Sequence, residues 1–275
     1  IGSRKEQIKY ILECLSKIRP GVKDFPPVSV AVDVAHGDTV DAHGLYTWLS
    51  EQPFIGRIMS GSVCTADAAV RVFNSGCSHV RVGIGPGSAC TTRLMTGCGM
   101  PQLSAVYSAY KGLQSAFPGK EYHIIADGGV RSPGDANKYL AAGATGIMMG
   151  REFSTTLESA GWETIEDTES KSYSGIVSFP LERPKTIMVK KYRGQASASF
   201  QKDMFGSSNV CPEGASTGRI YPTGSCKVVL DKYKGGLASA ISYLGITSSL
   251  ELCPETVEFV KVTSSGHKEG TPHGC

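Results

Sequence analysis

The sequence contains no apolar run near the ~18 residues a membrane-spanning helix needs. Its opening, Ile1-Gly2-Ser3-Arg4-Lys5-Glu6, is too charged to read as a signal peptide. No CxxC pair and no Cys/His cluster has zinc-finger spacing. Net charge is nearly absent as well: 28 Lys and Arg against 25 Asp and Glu leave +3, too little for a general grip on nucleic acid. The expected partners therefore include neither a membrane nor a nucleic acid. The first residue is not Met, which is read as a start cut away.

What is present suits a packed protein. Apolar residues make up 40% and charged residues 19% of the 275, a balance that argues against wholesale disorder or a coiled coil. At ~150 residues per domain, the length allows one large domain or two small ones, with enough chain to bury a core. The nine cysteines are an odd number in a large chain, so free thiols in a reducing cytosol are expected rather than a disulfide framework, and the expected location is cytoplasmic. Most of these thiols should act as small buried hydrophobes. The 33 glycines are the other excess, and their positions carry the functional argument.

Over the first three-fifths of the chain, strand-like and helix-like segments alternate. Val28-Ser29-Val30-Ala31-Val32-Asp33-Val34 reads as a buried strand, and Arg57–Met59, His79–Val82, Tyr122–Ala126 and Gly146–Met149 are comparable. Helical patterns cover Arg4–Ile18, Asp41–Glu51, Thr65–Asn74, Gln102–Phe117 and Pro133–Ala142. Thr65 and Ser132 stand as capping residues before two of them. This alternation implies βαβ units and a parallel sheet. Each strand runs into a glycine-bearing loop: Asp33-Val34-Ala35-His36-Gly37, Ser60-Gly61-Ser62, Gly83 to Ser88, Asp127-Gly128-Gly129 and Gly150. Such loops at every carboxyl end predict the active face of a (β/α)8 TIM barrel, in the α/β class, rather than a doubly wound sheet. Five βα units with a helix before them are present, so three barrel strands are expected to be missing.

After Arg151 the pattern changes. Residues 164–192 read as an exposed excursion with a hairpin through Ile176–Phe179 and Thr186–Val189. Residues 193–226, rich in Gly, Ser and Pro, read as a mobile flap rather than a core element. A helix over Lys227–Leu244 and a strand over Val257–Val262 are expected to close the fold, leaving a polar tail, Thr263–Cys275, that could be disordered. The whole of 1–275 is taken as one barrel domain, incomplete at its start.

The strongest single signal is Val82-Gly83-Ile84-Gly85-Pro86-Gly87-Ser88-Ala89-Cys90-Thr91-Thr92-Arg93. Alternating glycines let backbone N–H groups converge on an anion, and Ser88 adds a hydroxyl donor. Cys90 then sits on an exposed, strained loop with donors that favour the thiolate. On glycine spacing alone, a phosphate-binding turn with a bystander cysteine fits equally well.

This stretch, followed by Thr96-Gly97-Cys98-Gly99-Met100-Pro101-Gln102, resembles the catalytic loop of the IMP dehydrogenase / GMP reductase family. The resemblance extends through Asp127-Gly128-Gly129-Val130-Arg131-Ser132-Pro133-Gly134-Asp135, Met148-Met149-Gly150, Tyr192-Arg193-Gly194 and Pro212-Glu213-Gly214, in the family's order. It implies that Cys90 adds to C2 of the purine of a nucleoside monophosphate, capture that divides one hard substitution into two easier ones. It implies phosphate-loop positions at Ser88, Gly129 and Gly150, joined by Tyr192, with Gly128, Gly194 and Gln195 also on the substrate. Asp127 would hold the ribose hydroxyls, two donors to two carboxylate oxygens. Carbonyls of Gly85, Gly87 and Cys90 match a monovalent-cation site, taken as potassium. Asp33, Ala35, Gly37 and Gly61 fall where the nicotinamide cofactor binds, and a homotetramer is implied.

The family has two branches. The dehydrogenase passes hydride to NAD and hydrolyses its covalent intermediate, which needs an Arg-Tyr pair on the flap to activate water. The reductase expels ammonia from GMP and takes hydride from NADPH. Its leaving group is protonated through a Thr two residues after the cysteine and a Glu on the flap, here Thr92 and Glu213. Between Tyr192 and Glu213 there is no Arg-Tyr pair, and Ser199-Phe200-Gln201-Lys202 and Ser239–Tyr243 resemble the reductase. The tail from Thr263 to His273 resembles a bacterial dehydrogenase. A missing hydrolytic base outweighs a similar tail, so GMP reductase is the expectation, IMP dehydrogenase the alternative, and a non-catalytic nucleotide-binding or assembly subunit the second alternative.

Some positions depart from the family pattern. Arg151 stands where the family has Ser or Gly beside the phosphate, and either strengthens that contact or crowds it. Gln195 replaces a Met near the purine. His36 reads as a solvated loop residue, and Trp48 and Trp162 have no partner identifiable from sequence. A five-stranded sheet would leave two edges exposed. A truncated sequence, a misplaced gene start, a complementing N-terminal chain or a degenerate paralogue would each account for this. The coding DNA upstream of Ile1 is expected to carry three more βα units in frame. Sequencing that region tests it, and an in-frame stop directly before Ile1 would contradict it.

Overall fold

The computed structural model describes residues 27–166, 186–207 and 211–272, together with Tyr10, Glu13, Cys14 and Lys17. Five strands, β1 (Val28–Ala31), β2 (Ile55–Met59), β3 (His79–Val82), β4 (His123–Asp127) and β5 (Gly146–Met148), form a curled, all-parallel sheet in the order β1-β2-β3-β4-β5. Its helices are α1 (Val40–Ser50), α2 (Ala66–Asn74), the short α3 (Thr92–Thr96), α4 (Gln102–Ala116) and α5 (Pro133–Ala141). This is the α/β half-barrel that the strand and loop spacing predicts.

The two-residue period of the strands separates core from site. Val80 and Val82 on β3 and Ile124 and Ala126 on β4 are fully buried beneath the helices. There they meet Leu45, Leu49, Val72, Val106 and Leu113. The intervening residues, Arg81 and Asp127 among them, point to the opposite face. The helices start where capping chemistry lets them. Thr65 Oγ1 accepts the Ala68 N–H, and Ser132 and Asp135 form a reciprocal capping box around Pro133 at the first turn of α5.

After β5 come α6 (Arg151–Ser154), β6 (Trp162–Glu166), β7 (Thr186–Arg193), α7 (Ala198–Phe205), β8 (Ser216–Ile220), α8 (Cys226–Leu244) and α9 (Ser264–Glu269). Strands β6, β7 and β8 form a separate antiparallel sheet with β7 in the centre.

Several expectations are corrected here. The region 193–226 carries regular structure, α7 and β8, although α7 has no buried residue. Ser197 caps α7 by accepting the Phe200 N–H, and β8 finds a ladder on β7. Thr186–Val189 lies in β7 and pairs with β6. The other hairpin arm, Ile176–Phe179, lies outside the described residues, as does 167–185 of the excursion and most of the helix expected over Arg4–Ile18. Val257–Val262 is not a strand: Phe259, Val260 and Val262 are exposed, and without a neighbouring edge an alternating pattern has no ladder to join. The polar tail forms α9, capped by Thr263 Oγ1 on the Gly266 N–H. Trp162 does have a partner, the Lys190 ammonium 4.4 Å from its ring centroid. Among the described residues no helix is long and apolar enough to cross a membrane.

One electrostatic contact ties the β1–α1 loop to both helices beside it. Asp38 accepts the Arg71 fork, Nε at 3.0 Å and Nη2 at 2.5 Å, and His43 Nε2 at 2.7 Å. The Arg71 hydrogen bonds, with His43, outweigh burial and hold the Asp38 carboxyl down to about 2. Because the folded value lies below the unfolded one, this stability is present above pH ~4 and lost as pH falls toward about 2. Asp38→Asn is expected to cost about 1–2 kcal/mol at pH 7, solvent around the half-exposed arginine lowering the ideal figure. Urea denaturation at pH 7 and pH 3 should show the gap from wild type narrowing at the lower pH. An equal gap at both would refute it.

Candidate active site

The loop after β3 is shaped by what cannot fit in it. A Cβ on Gly83, at φ +150°, would lie 2.3 Å from the Asp127 carbonyl, so the ends of β3 and β4 close together only around glycine. Farther along, the Arg93 side chain folds back over its own loop. Its Nε donates to the Ile84 carbonyl at 3.2 Å and its Nη2 donates to the Met100 carbonyl. Cβ atoms on Gly85 and Gly99 would meet the Arg93 Cγ at 2.5 and 2.6 Å, so both glycines make room for this staple. Between the stapled ends the Cys90 N–H bonds the Gly87 carbonyl at 3.0 Å, a tight turn that holds Cys90 half-buried at a cleft.

Glu213, far away in sequence, is brought to this turn by the backbone. Thr91 N–H donates to the Glu213 carbonyl and Ala215 N–H to the Ala89 carbonyl, each at 2.8 Å. With Glu213 fixed, the Cys90 thiol donates to Thr92 Oγ1 at 3.2 Å, and Thr92 Oγ1 donates to Glu213 Oε2 at 2.8 Å. A thiol, a hydroxyl and a carboxylate in series form a path along which a proton can pass between the carboxylate and a group beside the sulfur. Cys90, Thr92 and Glu213 are thus in contact.

The cleft encloses about 510 Å³, and its lining includes Asp33, Ala35, Arg81, Cys90, Asp127 and Tyr192. Arg81, which sequence reading passed over, is its electrostatic centre. Its Nη2 bonds Asp33 Oδ1 at 2.9 Å, and its Nη1 lies 3.6 Å from Asp127 Oδ2. Burial pushes the Asp127 carboxyl up, Arg81 pulls it down, and Asp33 adds to the rise; the net direction is upward. The period-2 match of Arg81 to Asp127 across β3 and β4 was the available signal, hidden because a strand arginine reads as solvent-facing. Gln102 was also missed. It is buried at the start of α4, and its amide donates to the Val82 carbonyl at 2.8 Å and the Asp127 carbonyl at 3.2 Å, tying the two strand ends together.

The other residues singled out in the sequence divide. Ser88 Oγ and Tyr192 OH are 3.1 Å apart, and a Cβ on Gly150 would lie 3.7 Å from that hydroxyl. Ser88, Tyr192 and Gly150 therefore share one corner. Gly128 packs against Pro86 and Gly87, Gly129 packs against Pro86, and Gly194 lies against Ala89. Gln195 Nε2 reaches Asp33 Oδ2 at 3.5 Å. Gly85, Gly87 and Cys90 line the cleft on one loop. Gly37 and Gly61 are buried outside its lining, where the Tyr46 hydroxyl donates to the Gly37 carbonyl and accepts the Gly61 N–H. Burial raises that phenol to about 12, which keeps it a donor. Arg151 is exposed at the start of α6 and Gly129 and Gly150 are likewise outside the lining, as is the exposed His36. Among the described residues no group of three or more His, Cys, Asp or Glu side chains could hold a metal ion.

A half-barrel that gathers Cys90, Asp33 and Asp127 around one cleft at the carboxyl ends of its strands has the layout of a barrel-type enzyme site. The family model described as "IMP dehydrogenase / GMP reductase domain" matches residues 28–273, and the chain belongs to that family. It is 36% identical over 246 residues to the inosine-5'-monophosphate dehydrogenase of Chlorobaculum tepidum, covering 89% of this chain and 47% of that protein. It is 33% identical over 263 residues to the Borreliella burgdorferi dehydrogenase, covering 95% and 61%. Its fold is similar to the crystal structure of a GMP reductase from Trypanosoma brucei in complex with guanosine 5'-monophosphate. There the TM-score is 0.80 and the identity 28%, over 100% of this chain and 52% of that one. The chain spans about half the length of these relatives.

Replacing Arg81 by Met should leave Asp127 buried without its counter-charge, so its carboxyl should titrate at higher pH than in the wild type. Carbon-13 NMR of labelled aspartates reads this directly, and an unmoved Asp127 would mean the 3.6 Å pair carries no charge coupling.

Proposed function

We propose that the protein containing this chain is a purine-nucleotide oxidoreductase that works at C2 of a nucleoside 5'-monophosphate through a covalent Cys90 adduct. Its reaction is the reductive deamination of GMP to IMP with NADPH. The observation that carries this is the unbroken Cys90–Thr92–Glu213 chain of hydrogen bonds, in a sequence with no Arg-Tyr pair between Tyr192 and Glu213.

The residues divide the work as follows. Ser88, Tyr192 and the backbone near Gly150 take the 5'-phosphate, with Gly128 and Gly129 holding the neighbouring turn. Asp127 accepts both ribose hydroxyls, and Arg81 opposes the rise that burial imposes on its carboxyl. The Cys90 sulfur adds to C2 as its proton passes through Thr92 to Glu213, and Glu213 returns that proton through Thr92 to the C2 amine, so that the C–N bond breaks and ammonia leaves. A nicotinamide cofactor, when bound, would supply the hydride that replaces sulfur at C2, and Cys90 would leave as the thiolate with release of IMP. Asp33 and Ala35 line the same cleft as Cys90 and fit such a cofactor. The carbonyls of Gly85, Gly87 and Cys90 would hold a potassium ion. The Gly87 carbonyl keeps a second lone pair beside the one given to Cys90, so this site also fits. A homotetramer accompanies this reading.

A second reading, NAD-dependent oxidation of IMP, is favoured by the dehydrogenase names and 33–38% identity of the curated relatives. The discriminating assay uses the full-length protein. GMP-dependent NADPH oxidation is expected, abolished in Cys90→Ala and lowered about 100-fold in Glu213→Gln, in the lower range for a lost proton-transfer group. Reduction of NAD with IMP instead would establish the second reading. Nucleotide binding without turnover, unaffected by Cys90→Ala, would indicate a binding subunit.

A further inference from the structure

Lys190 is 1% exposed in the centre of β7, between Trp162 on β6 and Ile220 on β8. Its ammonium donates to the Thr156 carbonyl, to the Ser159 carbonyl at 2.7 Å and to Ser159 Oγ at 2.7 Å, and lies over the Trp162 ring. Its three protons are matched by three oxygens. Among the described residues no carboxylate lies within ion-pair distance of it. The nearby Glu158 instead caps α8, accepting the Cys226 N–H at 2.8 Å. A buried ammonium whose direct hydrogen bonds all go to neutral oxygens, with the Glu158 carboxylate acting on it only through space, is a poor way to gain stability, since an apolar side chain of the same length fills the space without desolvating an ion. The arrangement needs another reason.

The reason lies two residues along the strand. Tyr192 follows Lys190 on β7, where the register against β8 shifts, and its hydroxyl lies 3.1 Å from Ser88 Oγ and 3.7 Å from where a Cβ on Gly150 would stand. The segment Lys190 grips, Thr156–Ser159, continues directly from α6, which begins after Gly150. The ammonium therefore joins the two elements that carry opposite walls of the Ser88–Tyr192–Gly150 corner. Three hydrogen bonds from one atom fix their spacing in every direction, which a methylene contact cannot do. We propose that Lys190 is a positioning residue that sets the distance between Tyr192 and Gly150 for a 5'-phosphate. This rests on the reading of that corner as a phosphate subsite.

The test compares GMP, IMP and the corresponding nucleosides on the full-length protein. Lys190→Met keeps length and volume and removes the three donors. It is expected to raise KM for the nucleoside monophosphate about tenfold while kcat stays within about threefold, the pattern of lost ground-state and transition-state binding alike. Binding of the nucleoside, which has no phosphate, should be unchanged. Ser159→Ala removes one acceptor and should raise the same KM about two- to threefold. It decides the matter if Lys190→Met fails to fold. Equal weakening for nucleotide and nucleoside, or a fall in kcat at constant KM, would overturn the assignment. A wild type that binds nucleosides and monophosphates equally would overturn the phosphate reading itself, and this inference with it.

Discussion

Two backbone hydrogen bonds hold this molecule's chemistry in place: Thr91 N–H to the Glu213 carbonyl, and Ala215 N–H to the Ala89 carbonyl. They join the loop after β3, which belongs to the parallel half-barrel, to the strand-like turn before β8, which belongs to the antiparallel sheet. Neither sheet contains the Cys90–Thr92–Glu213 chain of hydrogen bonds alone. Cys90 and Thr92 come from one and Glu213 from the other. Main-chain bonds serve this purpose well, because they fix position while leaving the Cys90, Thr92 and Glu213 side chains free to bond one another. The Arg93 staple across Gly85 and Gly99 does the same from the other side, holding the loop rigid enough for the bridge to form.

The floor of the cleft obeys a different constraint, the shortage of positive charge. Asp33 and Asp127 face the same space, and one largely buried guanidinium serves both. Burial is the main cause of the upward shift of Asp127, Arg81 opposes it, and Asp33 adds to it. Lys190 represents the opposite choice, a cation with no carboxylate in direct contact among the described residues, hydrogen-bonded to neutral oxygens and lying over an aromatic face. One charge is shared by two carboxylates that line the cleft. The other holds backbone.

Much of this was legible beforehand. Apolar β-branched runs marked the five strands, since a strand covered on one face by helices must be apolar there. The glycine loops marked the active end, because close backbone approach tolerates no side chain. Cys90, Thr92 and Glu213 were legible only as a family pattern, since nothing in local sequence says that residues 90 and 213 touch. Arg81 and Lys190 were illegible for a related reason. A charged residue in a strand reads as solvated, and only the packing of other elements over it shows that it is buried. Val257–Val262 erred the other way: alternation records the preference of a segment, but a strand exists only where an edge receives it.

The sequence by itself determined the class of the fold, the direction of its strands and the end at which its loops gather. These follow from periodicity and from where glycine alone is sterically allowed, both local properties. The tertiary structure alone decided which of the suggested residues meet. It placed Glu213 on Thr92, Tyr192 on Ser88 and Arg81 between two carboxylates, and it left Gly37, Gly61 and Arg151 outside the cleft. Those outcomes depend on distances between segments tens to more than a hundred residues apart. Such distances are set by the summed packing of every element between them, and no local pattern encodes them.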